Sequence, residues 1–284
     1  MTKQELQESL ASSDALGAHA AAIAESASEC IVVRSVPVKT ESEVPIGASK
    51  IGGNPDLPLN LNWPFGHDVP LTFIAQIALH DMPRLDASSP LPSSGWLSFF
   101  YDADEQPWGY DPKHAGSWKV IYTPRAEALQ RREFPDDYSL ENELTPCSLS
   151  MTKGLSLASL DRANSLGLDL DEEQMDSYEE VAAQLRPDGH QLLGLPAVVQ
   201  GDDMELECQL ASSGLYCGDA TGYDDPRAQS LSPNASDWRL LMQFDSDENS
   251  GMIWGDAGYL YFWIREQDLS SKNFDNVWVI LQCY

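Results

Sequence analysis

Basic residues are scarce in this chain. Lys and Arg number 17 against 45 Asp and Glu, a formal net charge of −28. Such a field repels nucleic-acid phosphates and anionic membrane surfaces, so neither is an expected partner. It attracts cations and basic proteins; a salt-tolerant or simply soluble surface is the plainer reading of the same charge. Long apolar runs are missing too, with no stretch approaching the ~20 residues of a membrane span. The opening MTKQELQESL has neither a basic start nor an apolar run, so no secretory signal is visible. The five cysteines (Cys30, Cys147, Cys208, Cys217 and Cys283) form no C-x-x-C pair, and an odd count does not suit a disulfide framework. Reduced, mostly buried thiols and a cytoplasmic location are expected.

Catalytic signatures are also absent. There is no G-x-S-x-G elbow, no P-loop and no G-x-G-x-x-G; Gly218, Gly222, Gly251, Gly255 and Gly258 fit neither glycine spacing. The histidines, His19, His67, His80, His114 and His190, form no H-E-x-x-H or H-x-H, which leaves a zinc site little support. His67-Asp68 and His80-Asp81 look like acid–base pairs, but neighbours in a strand point to opposite faces, and surface histidine is the better reading. A Cys–His pair built on Cys208 or Cys217 stays open, since spatial neighbours need not be close in sequence; a small buried hydrophobe is the commoner role. No catalytic residue is assigned, and the balance leans away from an enzyme.

What is present suffices for a core. The chain has 284 residues, 42% hydrophobic and 9% aromatic, which excludes wholesale disorder. Thr2 and Glu5 have capping-box spacing at the head of a helix that puts Leu6 and Leu10 on one face. After a break at 12–14, an alanine-rich helix is expected over 15–25, and the β-branched run 31–38 reads as a strand. A second helical region lies between 155 and 185. Its clearest part starts at Asp169, with Glu172 three residues on, and Met175, Tyr178, Val181 and Leu185 share a face before Pro187 and Gly189 end it. Strands are expected over 71–77, 95–101, 118–122, 197–200, 239–244, 258–264 and 277–282. No βαβ alternation appears, so a Rossmann or barrel enzyme fold is not expected.

Four elements recur in the same order. Ile51-Gly52-Gly53-Asn54-Pro55 corresponds to Leu192-Leu193-Gly194-Leu195-Pro196, and the strand holding Gln76 to the strand holding Gln243. Strands opened by Gly95 and Trp118 correspond to strands opened by Gly258 and Trp278. A length mismatch before Gln243 places an insertion near 202–233 in the second copy. The expected fold class is α+β: mainly antiparallel β built from two duplicated, interlocked halves, with an N-terminal helical segment and a central helix. As domain organisation this is a single domain over 1–284. N-terminal helices and a strand occupy 1–38, the first repeat 50–122, a helical connection 153–187 and the second repeat 190–282.

The run Lys50-Ile51-Gly52-Gly53-Asn54-Pro55, followed by Trp63-Pro64 and by 70–77 (PLTFIAQI), resembles the YwqG-like family of bacterial proteins. The run from Leu241 through Gln243-Phe244-Asp245-Ser246-Asp247, then Trp254-Gly255-Asp256-Ala257-Gly258 and Tyr261-Phe262, is similar to that family's C-terminal signature. The resemblance covers roughly 50–284. It implies an α+β fold of duplicated halves, uncharacterised function and no catalytic residues to carry over. Some members are encoded near toxin and immunity genes, which implies a protein-binding role.

Gln76 and Gln243 sit mid-strand among apolar residues, where a buried amide must find hydrogen bonds. Either each ties its strand to a nearby loop, or the two line a ligand cleft between the halves together with His190, Trp254 and Asp256. Asp245, Asp247, Asn249 and Asp256 occupy positions 1, 3, 5 and 12 of DSDENSGMIWGD, the ligand spacing of a calcium loop. Against calcium, Gly251 stands at position 7 rather than 6, position 12 is Asp rather than Glu, and the flanks read as strands. A hairpin whose Asp and Asn side chains cap backbone N–H groups is the alternative. Apart from calcium no cofactor is expected.

Acidic clusters lie at 102–105, 136–137, 171–173, 179–180, 202–203, 224–225 and 245–248. Several fall beside aromatics read as exposed: Tyr101, Trp108, Tyr110, Tyr223 and Trp254. Aromatics ringed by acids would give a basic partner both anchors and fast association. The expected function is a non-enzymatic, acidic protein-binding module, in its sharpest form immunity-like against a basic toxin. The alternative is a small-molecule or divalent-cation-binding protein, extending to a hydrolase, that uses the cleft between the repeats.

Overall fold

Ten stretches rich in β-branched and aromatic residues assemble one antiparallel sheet. The computed structural model describes residues 1–85, 91–138, 143–165, 167–186 and 189–284, so the helix stop expected at Pro187 lies outside the described residues. The strands are β1 (Ser28–Pro37), β2 (Lys50–Ile51), β3 (Thr72–Ala78), β4 (Trp96–Tyr101), β5 (Trp118–Thr123), β6 (Cys147–Ser156), β7 (His190–Leu192), β8 (Trp238–Asp245), β9 (Tyr259–Arg265) and β10 (Trp278–Gln282). Their order across the sheet is β10-β9-β8-β7-β1-β6-β2-β3-β4-β5. A central pair, β1 and β6, therefore carries a four-stranded wing on each side. The pair runs in register from Ser28 opposite Ser156 to Pro37 opposite Cys147. Although β1 precedes β2 in the chain, it pairs with β7; β6 precedes β7 but pairs with β2.

The mainly antiparallel sheet agrees with the sequence reading, with two corrections. Segment 147–156 is a strand, where the sequence reading places none; its apolar residues Cys147, Leu149, Met151 and Leu155 alternate along it. Segment 197–200 is not a strand. Side-chain amides take its backbone N–H groups instead of a ladder: Ala197 donates to Gln243 Oε1 at 2.8 Å, and Val199 and Gln200 donate to Gln282 Oε1 at 3.1 and 3.2 Å.

The sheet curls until its wings face each other across a filled interior. Phe99 of β4 meets Phe244 of β8 and Phe262 of β9 edge to face, at centroid separations of 5.4 and 5.2 Å. Each such ring contributes roughly 2–3 kcal/mol by leaving water. The curl brings the edge strands together in a near-barrel. Trp118 of β5 packs on Trp278 of β10 at 5.0 Å, and the Trp118 indole donates to Val277 O at 2.9 Å.

Helices α1 (Lys3–Ala11), α2 (Ala20–Ser26), α3 (Leu160–Ser165) and α4 (Glu172–Leu185) share a second core with Leu155 and Leu157 at the end of β6. The Thr2–Glu5 capping box forms as its spacing predicts, and Leu6 and Leu10 are buried. Helix α4 starts two residues later than expected. Asp171, not Asp169, caps it, because Asp171 and Gln174 exchange side-chain and backbone bonds at 3.0 Å each. The segment before β8 supplies α5 (Met204–Ser212), which buries Met204, Cys208 and Leu210 in the main core, and α6 (Ala228–Leu231). Helix α7 (Glu266–Ser270) follows β9 directly.

Candidate functional site

Gln76 and Gln243 are buried at matching places in the two wings. Ahead of each, the chain makes two successive left-handed residues, Gly52 and Gly53 at φ 62° and 64°, Leu193 and Gly194 at 59° and 80°. Gly52 N donates to Ile74 O and Leu193 N to Leu241 O. The strand pairings slip between Phe73 and Ala75 in one wing and between Leu240 and Met242 in the other. Each glutamine then accepts the N–H of the residue after the Gly-x-Pro turn: Asp56 N to Gln76 Oε1 at 3.2 Å, Ala197 N to Gln243 Oε1 at 2.8 Å. Gln76 Nε2 also donates to Ala48 O at 3.0 Å, whereas Gln243 Nε2 is buried without a partner among the described residues. Strands β7, β1, β6 and β2 lie between β8 and β3 in the sheet, and each amide holds its own loop.

Opposite Gln76 lies Lys50, a buried cation that composition alone did not single out. Its ammonium sits 3.0 Å from Glu41 Oε1 and 3.7 Å from Asp56 Oδ1, and Arg131 Nε lies 2.9 Å from the same Asp56 oxygen. Burial lowers the Lys50 pKa against the pull of Asp56 and Glu41. The network ties the loop before β2 to the loop after it.

The loop after β8 brings His190, Asp245, Asp247 and Asn249 together. His190 Nδ1 accepts the Asp245 N–H at 3.0 Å, and Nε2 faces Asp247 Oδ2 at 3.6 Å. Asp247 Oδ1 accepts from Asn249 N at 3.0 Å, and Oδ2 accepts from the Ser250 hydroxyl at 2.9 Å. Burial alone would raise the Asp247 pKa, but the His190 ring beside it and the Ser35 and Ser250 hydroxyls outweigh it and hold the carboxyl well below its usual value. Asn249 Nδ2 reaches across to Ser35 Oγ at 3.0 Å. The side chains thus close a hairpin. Asp256 is exposed at the far end of the loop, and Trp254 is buried edge-on against Tyr101 at 5.7 Å. Among the described residues no group of three or more His, Cys, Asp or Glu could hold a metal ion. His67-Asp68 and His80-Asp81 occupy turns rather than strands, and His80 packs on Trp96.

Three loops together build one exposed apolar surface. Tyr101 and Trp254 do not contribute as exposed aromatics. Tyr101 is buried, its hydroxyl donating to Pro107 O at 2.8 Å, and Tyr110 is half-buried. Trp108 (40% exposed), Ile253 (64%) and Tyr284 (71%) remain at the surface. Gln106 joins their loops: Nε2 donates to Ile253 O at 3.0 Å and Oε1 accepts Gly255 N at 2.9 Å. Trp108 O accepts the Leu281 N–H, Tyr284 N donates to Asp256 O, and Cys217 N donates to Tyr110 O, bringing in the third loop with Tyr216 and Tyr223. Segments 102–110, 216–225 and 253–256 carry Asp102, Asp104, Glu105, Asp219, Asp224, Asp225 and Asp256, and no Lys or Arg. The aromatics and acids were legible in the sequence. Gln106 and Ile253 were not, because loop-to-loop pairing leaves no periodic trace.

Beneath the third loop, Glu207 of α5 accepts the Tyr223 hydroxyl at 3.4 Å while its Oε2 is buried without a partner among the described residues. Burial, with Asp203 nearby, raises its pKa to about 7 against the Tyr223 bond. All five cysteines are free and buried, and burial pushes Cys147 and Cys217 up to about 11. These thiols are poor nucleophiles at neutral pH. Among the described residues no helix is long and apolar enough to cross a membrane.

No curated protein matches the chain. A family model does, over residues 49–283, and with most of its length covered the chain belongs to the family described as Domain of unknown function (DUF1963).

Proposed function

We propose that the protein is a non-enzymatic module that captures a basic protein on the Trp108–Ile253–Tyr284 surface. One observation carries this reading. Exposed apolar side chains stand on loops pinned to each other and to β10, with seven carboxylates in the same segments, of which Asp225 pairs with the adjacent Arg227. Aromatic anchors at the centre of such a patch each contribute about 2 kcal/mol or more to an interface, and the surrounding field speeds encounter. A basic toxin is the sharpest form of the partner, as the YwqG-like resemblance implies. Buried free thiols support a reducing, cytoplasmic setting. We read the two wings as duplicated halves of one domain; matched left-handed turns, matched strand slips and matched glutamine bonds support that ancestry.

The test is capture by the tagged chain at low and high salt, followed by affinity measurement on the basic protein identified. Binding should weaken as salt rises, and Trp108→Ala should weaken it at least about tenfold. A verified partner that binds equally well at high salt, and equally well to Trp108→Ala, would refute the reading.

A further inference from the structure

We propose that the seam where the sheet nearly closes is a binding site for an organic oxyanion, a carboxylate or phosphate carried on a flat apolar body. A cleft of about 850 Å³ opens there, between β5 and the turn after α7. That volume suits a small-molecule ligand. Trp118, Trp278 and Phe274 are among the residues that line it, with the Tyr122 and Phe274 rings tilted 33° to each other at 5.9 Å.

Charge gives the cleft its direction. Lys119, Arg265 and Lys272 line it, three of the 17 cations in a chain with 45 carboxylates. Lys119 pairs with Asp275. Among the described residues the other two enter no ion pair. The Arg265 guanidinium lies 4.7 Å from the Trp238 ring centre and donates to Ser212 Oγ at 3.1 Å and to Gln209 Oε1 at 3.5 Å, so an aromatic face and two neutral oxygens hold it in place of a carboxylate. The Lys272 ammonium stands 5.8 Å from the Tyr122 ring centre. Where acids outnumber bases more than two to one, a cation fixed without an acid is available to an anion from outside.

The backbone adds a second, independent sign. Lys272 sits at φ +58° in the turn that ends α7, a position glycine ordinarily fills. A side chain is disfavoured there, so the lysine is explained by what its ammonium does over the cleft. The floor takes the apolar body, and Arg265 and Lys272 take the oxyanion.

The indole N–H resonances of Trp118 and Trp278 report on the cleft directly. The ¹⁵N-labelled chain is titrated with phenyl phosphate, phenylacetate, inorganic phosphate and benzyl alcohol. Shifts of these two indoles at lower concentrations of one organic anion than of inorganic phosphate or the alcohol are expected. The anion that binds more tightly assigns the ligand to phosphates or carboxylates. Lys272→Gly should weaken that anion about fivefold while leaving the melting temperature unchanged or raised, which a structural role for the lysine would not produce. If neither anion shifts the indoles, or if Lys272→Gly binds as well as the parent chain, the proposal fails.

Discussion

The two buried glutamines form a natural pair for weighing a hydrogen bond. Each sits mid-strand in its wing and each caps the N–H that follows a Gly-x-Pro turn. They differ at the other end of the amide, where Gln76 donates to Ala48 O and Gln243 finds no acceptor among the described residues. Leucine approximates glutamine in size and removes the amide. Gln76→Leu orphans the Asp56 N–H and the Ala48 carbonyl, at roughly 1–3 kcal/mol each when buried, so about 3 kcal/mol in sum. Gln243→Leu orphans the Ala197 N–H but also removes a buried, unpartnered NH₂. The two terms partly cancel, leaving about 1 kcal/mol. Urea unfolding of the two variants and the parent, at constant m-value, measures the difference. If Gln243→Leu proves as costly as Gln76→Leu, the matched-bond reasoning is wrong.

Glu207 has an ordinary pKa of 4.5 and a folded value of about 7, so the folded chain keeps a proton that the unfolded chain releases in between. Stability should therefore fall as pH rises through that window and level off above it. Glu207→Gln, neutral throughout, should gain over the parent across the same window, by about 1–2 kcal/mol once partial exposure is allowed for; a gap in melting temperature that ignores pH would refute this. At Gly109, with φ +88°, a Cβ would lie 1.8 Å from Val279 O, whereas at Gly214, with φ +87°, it would meet nothing within 4 Å. Gly109→Ala should cost more than about 3 kcal/mol and Gly214→Ala only about 1 kcal/mol of backbone strain. Equal losses in thermal unfolding would show that the contact with β10 carries no weight.

Much of the sheet was legible because its strands keep period 2 or run apolar between turn residues. The central strand β6 escaped because Ser148, Ser150 and Thr152 on one face, and Lys153 interrupting the apolar face, read as a polar stretch beside a helical one. Segment 197–200 misled in the opposite sense. Its apolar composition suits a strand, but two glutamine side chains take over the pairing. Burial of aromatics was the hardest property to read. Tyr101, Trp108 and Trp254 stand in similar acidic company, yet tertiary contacts bury two and leave one at the surface. The seam cleft was invisible for a related reason. Lys119, Arg265 and Lys272 converge only after the sheet curls, and nothing local in the sequence records that curl.

The exchange of β1 and β6 between the wings bears on how the chain is made. Strand β1 leaves the ribosome well before its partners, residues 147–156 and 190–192. During synthesis of everything between, it has no edge to join, and neither wing can finish without the strand that the other holds. Contacts this distant in sequence make for slow folding and a long exposure of unpaired strands. Two fragments divided near residue 124–146 would each lack a central neighbour. They should be unstable apart and reassemble when mixed, which makes the chain a candidate for a split reporter.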